Sequence, residues 1–115
     1  MRMADVLRIG LELHQITEWS STGVKMQELL RRDDPACRTH IAHYNPASVL
    51  GRHTGRLWQL STVLSWSGWV AGQDQVRHPS VAGDVFSWAP GESHESGSDL
   101  GMTVVIVQSD QPFHP

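Results

Sequence analysis

Two segments of this chain carry side chains able to do chemistry. The first reads Gly51-Arg-His53-Thr-Gly55-Arg-Leu-Trp-Gln59, and the second reads Gly83-Asp-Val-Phe-Ser-Trp-Ala-Pro-Gly91-Glu-Ser-His94, followed by Glu95-Ser-Gly97. Together they offer the imidazoles of His53 and His94 and the amide oxygen of Gln59, a donor set that can converge inside a small β-barrel. Neutral imidazole suits zinc, nickel, copper or iron, and two imidazoles with an oxygen donor leave open positions for water and substrate. A glutamine amide lacks the negative charge of a carboxylate, so it should hold a dication less tightly and leave it more Lewis-acidic. The competing reading needs no metal. His53 and His94 then hydrogen-bond to each other, to Gln59 or to water in a polar lumen.

Other groups qualify or restrict this set. His40 and His43 lie on one strand at opposite parity, so at most one faces inward, and His43 is the candidate for a fourth ligand. Tyr44, Ser61, Trp69 and Trp88 are candidates to line the pocket, the tryptophans either against a flat ligand or as wall packing. Glu95 alternates away from His94, and Glu92 sits in the Pro90-Gly91 turn, so neither is assigned a catalytic role. The chain has no Gly-x-Ser-x-Gly, no phosphate-cradling glycine loop and no Cys-x-x-Cys.

The elements that must position these residues are β-strands. Short apolar or alternating runs are punctuated by Gly, Pro, Asn and Asp, which predicts strands at 24–30, 39–44, 57–66, 69–71, 75–77, 85–88 and 102–108. Gly72-Gln-Asp-Gln75 and Asn45-Pro46 read as turns. Residues 5–14 are the one helical candidate, with a spacing that fits neither period cleanly. In the strand 57–66 the odd positions are Leu57, Gln59, Ser61, Val63 and Ser65, a small and mixed face suited to a lumen. The even positions, Trp58, Leu60, Thr62, Leu64 and Trp66, form an apolar face that must be covered by the N-terminal segment or by another subunit. A homodimer is therefore expected.

Composition bounds the rest. At 115 residues the chain is one domain, 1–115, and a net charge of −3 without a Lys/Arg cluster argues against a nucleic-acid partner. Arg31-Arg32 is offset at once by Asp33-Asp34. The single cysteine, Cys37, excludes an internal disulfide and fits a reducing compartment. No apolar run reaches signal-peptide or membrane-spanning length, so the expected location is the cytoplasm, with no membrane partner.

The same two segments carry a resemblance. The chain is similar to the small single-domain bacterial cupins, whose first motif sets His-x-His ahead of a glutamate and whose second sets Pro-x-Gly-x-x-His. His53 takes the first histidine position, Gly55 the second and Gln59 the glutamate; Gly83, Gly91 and His94 match the second motif, with Ala89 at its proline and Ser98 at its asparagine. Trp66 stands where the first motif closes on glycine. The resemblance covers residues 39–108, with the segment 1–38 packing on the barrel or on a partner. It implies an all-β jelly-roll barrel, the double-stranded β-helix. It also implies a metal site for Fe, Mn, Ni, Zn or Cu of which this chain keeps His53, His94 and Gln59 but not the histidine at Gly55.

Two functions follow from this reading. One is a small-molecule cupin that uses a divalent transition metal for oxygenase, isomerase or cyclase-type chemistry. The other is a metal-free barrel that binds or senses a small molecule, favoured by Gly55 and by the neutral Gln59.

Overall fold

A computed structural model describes residues 4–6 and 12–113. Eight strands follow in order: β1 His14–Gln15, β2 Thr22–Asp33, β3 Ala36–His53, β4 Trp58–Ala71, β5 Arg77–Val81, β6 Val85–Trp88, β7 His94–Ser98 and β8 Met102–Ser109. One short 3-10 turn, Glu18–Ser20, lies between β1 and β2. All the pairings are antiparallel.

The barrel closes because two strands are long enough to belong to both of its walls. The first part of β3 pairs with β8 through Tyr44, and the last part pairs with β7 from Ser48 to His53. Between them Ala47 takes a left-handed conformation (φ 57°) and its N–H donates to the Asp99 carbonyl at 3.0 Å. β4 changes walls in the same way: Trp58 to Trp66 pairs with β8, and Trp69 to Ala71 with β7. Here the break is a register shift between Val63 and Ser65 and a left-handed Trp66 (φ 64°). Bulges of this kind sharpen the local twist and bend a strand around a barrel corner.

Side chains opposite one another in antiparallel register share a face, so the wall made by β2, β3, β8, β4 and β6 can be described as transverse rows. Met26, Ala42, Val104 and Val63 form a deep apolar row, with Val24, Tyr44 and Met102 beneath it. Above it runs Glu28, His40, Ile106, Ser61 and Phe86, and above that Arg31, Arg38, Gln108, Gln59 and Trp88. The interior is thus apolar at its floor and polar at its mouth.

Several expectations are corrected. Segments 57–66 and 69–71 are one bent strand, and Asn45-Pro46 lies inside β3 at its bend. The strand at 75–77 begins only at Arg77, because Gly72 to Gln75 forms the expected turn, closed by Gln75 N–H to Gly72 O at 3.0 Å. β7 was not expected: His-Glu-Ser-Gly-Ser has little intrinsic strand preference, and burial between β3 and β4 makes it a strand. Of the helical candidate, residues 7–11 lie outside the described residues, while His14 is extended and pairs with Met26.

The even face of β4 is partly exposed, most of all at its far end. Leu64 and Trp66 are 54% and 70% exposed. Residues 12–20 do not cover it, since β1 pairs with β2 and Trp19 stacks on His53. No helix among the described residues is long and apolar enough to cross a membrane.

Candidate functional site

His53 and His94 are direct cross-strand partners on β3 and β7. From Leu50 to His53 β3 advances three residues while β7 advances two, from Ser96 to His94. That extra residue brings His53 to the face of the buried Leu50, beside His94. The two rings lie 4.5 Å apart between centroids, tilted by 60°. Trp19 stacks on the outer side of His53 (4.0 Å, 12°), and Trp88 on that of His94 (5.0 Å, 6°). Trp19, His53, His94 and Trp88 thus follow one another in ring contact, stacked at both ends and tilted in the middle.

Backbone carbonyls set the tautomers. His53 Nδ1 lies 2.7 Å from Gly51 O, and His94 Nδ1 lies 2.9 Å from Glu92 O. A carbonyl only accepts, so each Nδ1 carries the proton and each neutral ring presents a lone pair at Nε2. His94 is only 4% exposed, and its Nε2 is buried without a hydrogen-bond partner. Burial pushes the His94 imidazole down to about 4, against an opposing pull from the Glu92 carbonyl, so the ring is neutral at pH 7. Arg52 braces the two strands, donating to Ser93 Oγ at 2.8 Å and to the Glu95 carboxylate at 3.1 Å. Glu95 thus has a structural role.

Gln59 is held at both ends of its amide. Its Nε2 donates to Ser61 Oγ at 3.3 Å, and its Oε1 accepts from Gln108 Nε2 at 3.2 Å. Gln59 and Gln108 border a cleft of about 120 Å³ with His40 and His53. The apolar part of its lining is Ile16, Trp19, Met26, Leu50 and Ile106.

The other candidates fall in different places. His43 stands in the row of Lys25 and Thr103, opposite in parity to the buried Ala42 and Tyr44, so it faces away from the lumen. His40 is the strand histidine that faces inward, and burial lowers its imidazole from the ordinary value. Tyr44 lies in the core below the cavity, its hydroxyl 2.7 Å from Ser96 Oγ, and burial pushes its phenol up to about 12. Ser61 is buried under Gln59. Trp69 pairs with Gly97 at the parity opposite to Ser96, and the Arg77 guanidinium lies 3.7 Å over its ring. It is wall packing outside the lumen. Trp88 does border the site, through His94.

Sequence reasoning missed the strap at residues 16–21. Trp19 and Ser20 are both left-handed (φ 59° and 58°), a costly conformation for residues with side chains. Two contacts hold the strap: Ser21 Oγ accepts from Gly51 N–H at 2.9 Å, and the Trp19 carbonyl packs where a side chain on Gly51 would sit. This close approach is what requires a glycine at position 51.

Among the described residues, no group of three or more His, Cys, Asp or Glu side chains is arranged to hold a metal. Two imidazole nitrogens are available, and the one nearby amide oxygen already has a donor.

No protein-family model matches the chain, and no curated protein matches it. Solved structures do. An RmlC-like cupin from Shewanella frigidimarina is 21% identical over 96% of each chain, with a TM-score of 0.76. A protein from Thermotoga maritima, titled a predicted oxalate decarboxylase, is 23% identical over 91% of this chain and 98% of its own (TM-score 0.79). The polyketide cyclase RemF from Streptomyces resistomycificus is 17% identical over 96% and 81% (TM-score 0.77). The likeness is one of fold: the chain is a cupin-type jelly-roll barrel.

Proposed function

We propose that this cupin-fold chain is a small-molecule-binding barrel whose chemistry centres on His53, His94 and Gln59. The observation that carries the reading is the pair of Nε2 lone pairs. One of them, on His94, is buried with no donor in reach, and a buried acceptor left unmet costs about 1–3 kcal/mol. A ligand hydroxyl, an ammonium or a metal ion would each satisfy it.

The residues present fit a transition dication through two nitrogens. Both rings have Nδ1 tied to a carbonyl, the usual means of aiming a ligating Nε2. His53 and His94 would hold the ion, with Gln59 as a weak third donor, and the bound small molecule would fill the remaining positions. Such an ion supplies Lewis acidity, or oxygen chemistry if it is redox-active. The chain itself contributes orientation through the Trp19 and Trp88 stacks. This supports a metal-assisted enzyme of the oxygenase, isomerase or cyclase kind. RemF, a cyclase by title, has the same fold.

A second reading, a metal-free binding or sensing barrel, is favoured by one observation: the Gln59 oxygen already accepts from Gln108. Elemental analysis of the purified protein, before and after chelation, separates the two. One transition metal per chain, lost on chelation and absent from His53→Ala/His94→Ala, supports the metalloenzyme. Protein that is metal-free and cannot be reconstituted overturns that reading and leaves the binding barrel.

The apolar outer face calls for a partner, and we assign it to a second copy of this chain. Ile41, Val105, Thr62 and Val85 share one row there, with Val107 and Leu60 in the next. Residues 12–20 are engaged elsewhere, at the mouth.

A further inference from the structure

The mouth of the barrel opens into a second space. Ala36, Arg38, Gly55, Arg56, Leu57 and Gln108 line an open vestibule of about 430 Å³, and Gln108 also borders the smaller cleft. The vestibule therefore adjoins the cavity at the Gln59–Gln108 amide pair.

Two cations in the vestibule lack a counter-charge. On the neighbouring strand Arg31 is drawn to Glu28 and Asp33, each at 3.6 Å. Asp110, next to the vestibule, accepts the Ala36 N–H at 3.2 Å. Neither Arg38 nor Arg56 forms an ion pair with any described residue. Arg38 is partly buried, and its Nε is enclosed with no hydrogen-bond acceptor. A guanidinium N–H withdrawn from water without an acceptor is costly, and a planar oxyanion relieves that cost through the arginine fork.

The cavity sets the size of what such an anion can be attached to. An apolar cavity of about 150 Å³ holds a benzene ring, and a cleft of about 120 Å³ that leads on from the vestibule matches one ring rather than a fused system. Trp19, Ile16, Leu50 and Ile106 line it.

We infer that the barrel takes a single-ring carboxylic acid, with its ring in the inner cleft and its carboxylate between Arg38 and Arg56. The inference rests on the small-molecule reading above and adds the class of ligand. The two glutamine amides lie where the ring meets the carboxylate, and no group on the chain needs to move a proton for binding to occur.

Calorimetry with benzoate and its uncharged isostere benzamide tests it. Benzoate should bind roughly tenfold more tightly, and the preference should shrink as salt is raised. Arg38→Gln/Arg56→Gln should abolish the preference, so that benzoate and benzamide bind that variant alike. If that variant does not fold, Arg56→Gln, at an exposed position, should still reduce the preference. Equal binding of the two probes would overturn the carboxylate assignment and leave the small-molecule barrel standing. Binding of neither would overturn the single-ring assignment too, whereas the metal stoichiometry judges the His53–His94 pair separately.

Discussion

The His53 and His94 rings meet 4.5 Å apart, each with its Nδ1 tied to the carbonyl of the residue two positions earlier in its own strand or turn. This shared arrangement gives both rings the same tautomer with no side-chain carboxylate involved. It also makes the pair an acceptor site for as long as both rings stay neutral.

His94 gives the pair a pH limit. Its folded-state value of about 4 lies below the ordinary imidazole value of 6.5. Between these two the unfolded chain binds the extra proton and the native chain does not, so stability is complete above the upper value and falls as pH drops towards 4. The loss attributable to His94 is up to roughly 3 kcal/mol, and His40, also lowered by burial, adds in the same direction. Urea melts of metal-free protein from neutral pH to pH 4 measure it. His94→Gln should flatten the dependence, and an unchanged slope in that variant would remove His94 as its cause.

Tyr44 and Ser96 make a buried hydroxyl pair at 2.7 Å that joins the core to β7. Tyr44→Phe leaves Ser96 Oγ unmet and should cost about 1–3 kcal/mol in a denaturant melt. The double variant Tyr44→Phe/Ser96→Ala should recover part of that loss, since the two residues are coupled. Strict additivity of the single changes would contradict the pairing.

Gly51 controls the strap. A methyl group there collides with the Trp19 carbonyl, so Gly51→Ala should displace residues 16–21 from the mouth while the barrel stays folded. Proteolysis at the strap should accelerate, and the emission of Trp19 should shift to the red. Wild-type cleavage rates would mean that the strap yields without leaving His53.

The outer face should associate. Light scattering should give twice the mass of the 12.8 kDa chain, and Val105→Glu, in the middle of the apolar row, should give monomers. A stable interface needs about 800 Å² from each partner. A monomeric wild type would mean that this face stays in solvent.

Much of the barrel was legible because strand period and burial agree along β2, β4 and β8. The odd face of β4 was read as lumen-lining, and Ser61 and Val63 are buried on it. His53, Gln59 and His94 were recognisable from motif order. What escaped was whatever depended on a bulge or on distant burial. The extra residue between Leu50 and His53 uncouples the parity of His40 and His43 from that of His53, so the inward histidine was misassigned. β7 carries too few apolar residues to announce itself. Trp19 has no periodic signal at all, and its stack on His53 and its contact with Gly51 tie it to the site.

The stacked rows divide the interior by depth, and so divide its tolerance of change. Val24, Ala42, Val63 and Val104, near the floor, carry the folding free energy. Arg38, Gln108, Gln59 and Trp88 occupy the uppermost row, where little of the core depends on them. Ligand preference is therefore the cheaper property to alter: that row can be rewritten while the layers below keep the same barrel standing.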